Sequence, residues 1–346
     1  MMISKTVAAA LVAVLFSSTA VFAAPDRLRV VGSWNSLTLY KNFEEPFWTK
    51  TIPAEFGSKV NMTSLSQVKL KGPAVVRQMK MGVFDVVNTV ADYIVSDCPD
   101  LAGLDLPGIT TDLETARKTV EAYRPELEKY LARDFDVKLL SVTPYPAQVL
   151  FSRVPLKSLG DLKGKKIRAS GWTTSEFVTA IGATGVTLSF SEVPQALQRG
   201  VVDAAITGSL SGYSAGWGEV SSYLYPLPVG GWDYVVGVMS LNTWDKFSAE
   251  EQTKLMHLVK KDLEDPGWAV AGQETLEGVQ CLTGGDCPHG NALSLTLVPV
   301  TDADRSRVKE VLISNVLPAL AEKVKPETMT SWNETIGKVV GIKAKQ

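Results

Sequence analysis

An α/β fold in two domains is what the sequence predicts, on three observations. Apolar β-type runs alternate with amphipathic helical patterns along the chain, as in strands covered by helices. The length of 346 residues exceeds the roughly 100–200 of one ordinary domain, so two cores are expected. One local unit also occurs twice: Arg77-Gln-Met-Lys-Met-Gly82-Val-Phe-Asp85-Val has the shape of Ala196-Leu-Gln-Arg-Gly200-Val-Val-Asp203-Ala. Each is a helix stopped by a Gly suited to positive φ, then two apolar residues, an Asp and a strand. Two halves built on one plan give that echo, although helix–Gly–strand is common in α/β proteins.

Residues 1–23 read as a signal peptide. Lys5 supplies the positive start, Val7–Phe16 is an apolar run too short for a bilayer, and Val21-Phe22-Ala23 predicts cleavage before Ala24. No cysteine lies there to carry a lipid anchor, and no later stretch approaches the roughly 20 apolar residues of a membrane helix. The expectation is an exported chain, not membrane-embedded, in a bacterial periplasm. Beyond the leader, Arg27–Ser33 reads as a strand, Phe43–Phe56 as an amphipathic helix and Lys59–Ser66 as a second strand. Pro73–Met81 reads as a helix, Phe84–Thr89 as a third strand, Glu114–Ala132 as a long surface helix and Val137–Thr143 as a strand. The crossing segments around Gln148–Arg153 and Gly231–Met239 also read as strands, so the hinge is expected to be β-structured. Ser248-Ala-Glu-Glu251 is a capping box opening a helix expected to break at Pro266-Gly267, and Thr301 with Asp304 caps another.

A net charge of −2 argues against a nucleic-acid binder, which needs a basic footprint for phosphates. In an oxidising compartment Cys281 and Cys287 read as a disulfide closing a Gly-rich loop. The rival is a metal site with His289, one ligand short of a structural tetrahedral set. Cys98 reads as a buried free thiol. The catalytic inventory is thin: His257 lies on an amphipathic helix, His289 in the cysteine loop, and no nucleophile elbow, P-loop, dinucleotide fingerprint or H-E-x-x-H occurs. An enzyme built from carboxylates alone stays open on sequence.

The informative stretch is Asp161-Leu-Lys-Gly-Lys-Lys-Ile-Arg168-Ala-Ser-Gly-Trp172, a strand delivering Arg168 to its C-terminal edge, where open α/β sheets bind ligands. Arg offers a planar fork that fits a carboxylate bidentately. By itself an Arg ending a strand reads more simply as structural. Together with Ile181-Gly-Ala183 and Phe190-Ser-Glu-Val-Pro-Gln-Ala-Leu-Gln-Arg-Gly-Val-Val-Asp203, however, the stretch resembles the signature of DctP-type solute-binding proteins, which serve TRAP (tripartite ATP-independent periplasmic) transporters.

The resemblance implies a type II periplasmic binding protein fold: two α/β lobes with a β-stranded hinge and a ligand cleft between them. It implies lobes of residues 24–147 plus 234–272 and 148–233 plus 273–346. The implied partners are a small carboxylate ligand and the small and large TRAP membrane subunits, with no cofactor and no metal. The family's principal Arg matches Arg168, the ring packing on the ligand matches Phe190, and a polar residue often Asn in the family is Thr207. A second family Arg falls near Gln148, which puts a doubly anionic ligand in doubt, while Arg153 matches one that supports the lobe connection.

Aromatic residues near the implied cleft give a clue to ligand type: Trp34, Trp172, Tyr213, Trp217 and Trp232, with Tyr93 and Gln67 at first-half strand ends. Such rings commonly fill core. If two or three line the pocket, a flat or largely apolar monocarboxylate is expected. The competing readings are an ABC-type receptor for another solute, a sensor accessory on the same fold, and a periplasmic enzyme.

Overall fold

The structure, a computed structural model, describes residues 24–70 and 72–345; the expected signal peptide lies outside the described residues. The strands in chain order are β1 (Arg27–Gly32), β2 (Lys59–Ser64), β3 (Val86–Val90), β4 (Val137–Thr143), β5 (Gln148–Ser152), β6 (Lys166–Ala169), β7 (Thr184–Thr187), β8 (Ala204–Gly208), β9 (Tyr223–Tyr225), β10 (Val235–Ser240) and β11 (Thr296–Leu297). They form two sheets, β2-β1-β3-β10-β4 and β11-β9-β5-β8-β6-β7.

The sheets share a plan. In the first, β1 runs parallel to β2 and β3 while β10 is antiparallel to β3 and β4. In the second, β6 runs parallel to β7 and β8 while β5 is antiparallel to β8 and β9. The antiparallel member of each sheet is delivered by a chain crossing, after β4 and after β9. At the crossings Tyr145 N donates to Trp232 O (2.9 Å), Gln148 N to Gly231 O (2.9 Å) and Gly230 N to Gln148 O (3.1 Å). The two crossings are therefore bonded to each other. Gln148–Ser152 and Val235–Ser240 are strands, but the strand expected from Gly231 starts only at Val235, because residues 229–232 form a turn and Gly231 and Asp233 take positive φ (73° and 49°). Every residue of β3, β5 and β8 is buried, as expected of strands covered on both faces.

The repeated sequence unit is a repeated device. Gly82 (φ 77°) and Gly200 (φ 70°) end their helices in the left-handed region. The Asp two residues beyond the next apolar residue then locks two parallel strands. Asp85 N donates to Arg29 O (2.9 Å) while its carboxylate accepts from Arg29 N (2.7 Å). Asp203 N donates to Lys166 O (2.7 Å) while its carboxylate accepts from Lys166 N (3.0 Å).

Two local expectations are corrected. The strand expected to reach Ser66 stops at Ser64, because Ser64 and Gln67 form a capping box that starts the short helix Leu65–Val68. The expected break at Pro266-Gly267 is absent: Ala249–Val259, Lys260–Glu264 and Asp265–Thr283 follow without interruption, the middle piece a π turn. A π turn just before Pro266 changes the hydrogen-bond spacing where proline lacks its donor. Gly267 is there for packing, since a Cβ would overlap the Thr143 methyl on β4. Near the C-terminus, segments within residues 302–323 pack on helix Trp172–Ala180, and segments within residues 326–340 lie against the long helix Leu113–Phe135. Among the described residues no helix is long and apolar enough to cross a membrane.

Asp85 is the more enclosed of the two strand-locking acids, with a side chain 11% exposed against 27% for Asp203. Asp85→Ala should cost about 2 kcal/mol, since backbone and guanidinium donors both lose their acceptor. Asp203→Ala should cost clearly less. Urea unfolding of the two variants checks the order.

Candidate functional site

The C-terminal ends of β1, β3, β6, β7 and β8 converge, as topology requires of parallel strands whose edges face each other across a hinge. β1 delivers Trp34, β3 delivers Asp92 and Tyr93, β6 carries Arg168, the turn after β7 carries Leu188 to Phe190, and β8 carries Thr207. Trp34, Asp92, Tyr93 and Leu188 to Phe190 line a cavity of about 840 Å³, and Thr207 lines a small adjoining pocket of about 10 Å³; Arg168 lines neither and joins the site through its bond to Tyr93. Trp34, Tyr93 and Phe190 wall both, so the rings divide an outer chamber from an inner one.

Arg168 is held in register against Val186 of β7 and Ala205 of β8, and it is 1% exposed. Its Nε donates to Leu188 O (3.1 Å), Nη1 to Ile206 O (2.8 Å) and Nη2 to the Tyr93 hydroxyl (3.3 Å). The guanidinium carbon lies 5.4 Å from the centroid of the buried Trp217 ring. All these partners are neutral: among the described residues no carboxylate forms an ion pair with Arg168. Among the described residues Nη1 and Nη2 have one acceptor each for two N–H groups, so each keeps an N–H of the kind a carboxylate accepts.

Three acids, Asp92, Asp105 and Asp233, line a further small pocket, and among the described residues none is ion-paired with Arg168. Asp92 accepts from Thr173 N (3.2 Å) at the start of helix Trp172–Ala180, so a first-half residue caps a second-half helix; its Oδ2 is buried and unpartnered. Asp105 accepts from Trp232 N (3.0 Å) and Asp233 N (2.6 Å), which fixes a turn where Asp233 has φ 49°. Asp233 itself borders the inner pocket. Burial raises the pKa of all three, and Arg168 opposes the rise at Asp92 and Asp233; Asp233 is pushed up to about 7. Glu44, whose carboxylate accepts from Ser33 N (2.6 Å), is likewise pushed by burial to about 7.

Of the residues the sequence singled out, the structure brings Trp34, Tyr93, Gln148, Phe190 and Thr207 together at the inner pocket, with Arg168 beside Tyr93. Trp172 lines the outer cavity, its ring under Lys323 at 4.8 Å. Three others sit elsewhere. Gln67 spends its side-chain oxygen on Ser64 N (3.0 Å), because the capping box claims it. Tyr213 donates its hydroxyl to Asn291 O (2.9 Å) in the loop after the cysteines. Trp232 turns its indole toward Thr110 (3.0 Å), drawn there by Asp105 on its backbone. Sequence reasoning missed Tyr145 and Asp233, which complete the inner pocket; the one available signal for Asp233 was an acid inside the apolar crossing Gly230-Gly-Trp-Asp-Tyr. Cys281 and Cys287 form the expected disulfide, Cys98 is a buried free thiol, and His289 bonds Glu277 (2.6 Å).

The comparisons with known proteins agree with this geometry. The model of the DctP family, described as bacterial extracellular solute-binding protein, family 7, matches residues 35–265. The chain is 25% identical over 193 residues to the protein YiiZ of Salmonella typhimurium, covering 54% of this chain and 57% of that one. It is 25% identical over 236 residues to the C4-dicarboxylate-binding periplasmic protein DctP of Rhodobacter capsulatus, covering 67% of each. The aligned stretches thus span from just over half to about two thirds of these relatives. Among solved structures, DctP7 of Bordetella pertussis, an extracytoplasmic solute receptor binding pyroglutamic acid, superimposes with a TM-score of 0.77 at 21% identity, covering 90% of this chain and 99% of that one. A TRAP periplasmic solute-binding protein of Desulfovibrio salexigens with bound orotic acid gives 0.80 at 17% identity, covering 91% and 99%. The fold is the type II periplasmic binding fold.

Two predictions follow from the enclosed acids. A Cβ at Gly171 would fall inside the Asp92 carboxylate and 2.8 Å from the Asp92 carbonyl oxygen, so Gly171→Ala should lower the thermal midpoint; Gly160→Ala, whose nearest neighbour is at 3.6 Å, should not. Asp233 and Glu44 keep their protons up to about pH 7 in the folded chain but lose them near pH 4 when unfolded. Folding therefore binds protons in that window, and stability should fall as pH rises from about 5 to about 7. Urea titrations across that range should show the slope, and Glu44→Gln with Asp233→Asn should flatten it.

Proposed function

The chain belongs to the DctP family of bacterial extracellular solute-binding proteins, and from that membership we propose that it is an extracytoplasmic receptor. It captures a small organic acid by its carboxylate and delivers it to TRAP membrane subunits without chemical change. The observation that carries this reading is Arg168: a guanidinium 1% exposed with neutral protein partners only and an open N–H fork beside a pocket walled by rings from both halves. An enclosed cation with no anion is unfavourable by several kcal/mol, and an arriving carboxylate removes that cost.

The pocket also points to the kind of acid. Gln148 stands where a second cation would be needed for a dicarboxylate, and its amide is already donated to Pro146 O (2.8 Å). Trp34, Tyr93, Tyr145 and Phe190 offer ring area rather than hydroxyl partners, which suits a compact monocarboxylate with a flat or apolar face. Pyroglutamate and orotate, named for the two structural neighbours, are ring monocarboxylates of that kind. The lobes are the halves built on the two sheets, residues 1–23 act as the export leader, and capture shifts the open–closed balance by the guest's preference for the closed form. Closure is the engagement of Tyr93 and Asp92 of one half with Arg168 and the Thr173 amide of the other.

Arg168→Ala should weaken carboxylate binding by roughly two orders of magnitude or more, the equivalent of about 3–5 kcal/mol. The measurement is ligand-induced thermal stabilisation over a panel of aliphatic, hydroxy, keto and aromatic acids. Arg153→Ala, which removes a 3.7 Å contact with Asp203 away from the pocket, should leave the response intact. Stabilisation of the Arg168→Ala protein at wild-type strength rejects the carboxylate anchor.

A further inference from the structure

Away from the cleft, one carboxylate stands where the chain acquires a charge only after processing. Glu251 opens the helix Ala249–Val259, and its Oε2 accepts from Ser248 N (2.8 Å) to complete the capping box. Its Oε1 accepts from Ala24 N (3.2 Å), 227 residues away in the chain. Among the described residues no Lys, Arg or His side chain forms an ion pair with Glu251; Lys254, three residues on, is paired with Glu55 instead (2.7 Å). Ala24 is the residue before which the sequence predicts the leader to be cut. It packs against the apolar cluster that contains Leu28, Phe47, Phe247 and Leu255. Pro25 fixes the next φ, and Asp26 O accepts from Lys59 N (2.8 Å) at the start of β2, so the residues just after the cut are already held.

In the uncut chain the donor at Ala24 is a peptide N–H with one hydrogen and no net charge. A leader peptidase breaks the Ala23–Ala24 peptide bond with water: the oxygen joins the Ala23 carbonyl carbon as a carboxylate, and both protons go to the Ala24 nitrogen. At neutral pH that nitrogen is an ammonium with three donors, because a free α-amine titrates near 8. The cut therefore turns a neutral donor into a cation without moving it from Glu251 Oε1. Resting on the export reading above, we propose that cleavage before Ala24 creates a structural ion pair between the new α-ammonium and Glu251. The pair joins the chain leading into β1 to a helix that follows β10, and so fastens the strand that delivers Trp34 to the cleft.

The test begins with the exported protein, whose N-terminal sequence should start at Ala24. Urea unfolding then compares chains that start at Ala24 with chains carrying Gly-Ser ahead of it, each with and without Glu251→Gln. Gln keeps the capping box and removes only the charge. In the chain starting at Ala24, Glu251→Gln should lower the folding constant roughly two- to fivefold, the scale of a part-exposed ion pair. In the Gly-Ser chain the loss should be clearly smaller, so that the two changes do not add. The Ala24 α-amine should also be acylated more slowly in the wild-type chain than in Glu251→Gln, because an ammonium beside a carboxylate gives up its proton less readily. A mature chain that begins elsewhere, equal losses in both chains, or equal acylation rates overturns the ion pair and leaves export standing. A chain that keeps its leader and stays in the cytoplasm overturns the export reading itself.

Discussion

The site depends on one constraint: a guanidinium taken out of water and given no protein anion. Burying a cation is tolerable only when its hydrogen bonds are met, and here two of the five N–H groups find carbonyls on neighbouring strands and a third finds the Tyr93 hydroxyl. Leu188 O and Ile206 O are in place because β7 and β8 flank β6 in parallel register, and Trp217 supplies a ring beneath. The remaining N–H groups are held in place by these bonds, so the proposed carboxylate guest meets a pre-organised donor.

That pre-organisation is possible because the chain builds the same sheet twice and exchanges a strand between the copies. β5 and β10 enter their sheets antiparallel from opposite crossings, and the crossings bond to each other through residues 145–148 and 230–232. The two C-terminal edges are thereby held face to face at a β-structured hinge. The Gly-then-Asp units stabilise equivalent strand pairs in both copies, Asp85 on Arg29 and Asp203 on Lys166. Across the gap Tyr93 meets Arg168, Asp92 caps the Thr173 amide and Trp34 meets Phe190 edge-on at 5.8 Å. Behind the cleft one hydrophobic cluster runs through both sheets, so the halves share a core at the hinge side.

The acids near the cleft are mostly architectural. Asp92 and Asp105 are tied to backbone amides that fix a helix start and a turn, whereas Asp233 borders the inner pocket.

What the amino-acid sequence determined by itself is local or periodic. The strands of the first half lie within a residue or two of their expected places, the Ser248 and Thr301 capping boxes form, the helix–Gly–x–x–Asp echo is a true structural repeat, and Arg168 stands at the strand edge where its motif put it. These features follow from hydrogen-bond partners a few residues apart and from side-chain period. Only the tertiary structure decided which side chains share the cleft. Gln67 was claimed by a cap three residues away, Pro266-Gly267 proved compatible with a helix because a π turn and the Thr143 methyl lay where they did, and Trp232 was drawn to Thr110, 122 residues distant. Tyr145 and Asp233 entered the pocket because two crossing segments pair at the hinge, a long-range contact that carries no local period.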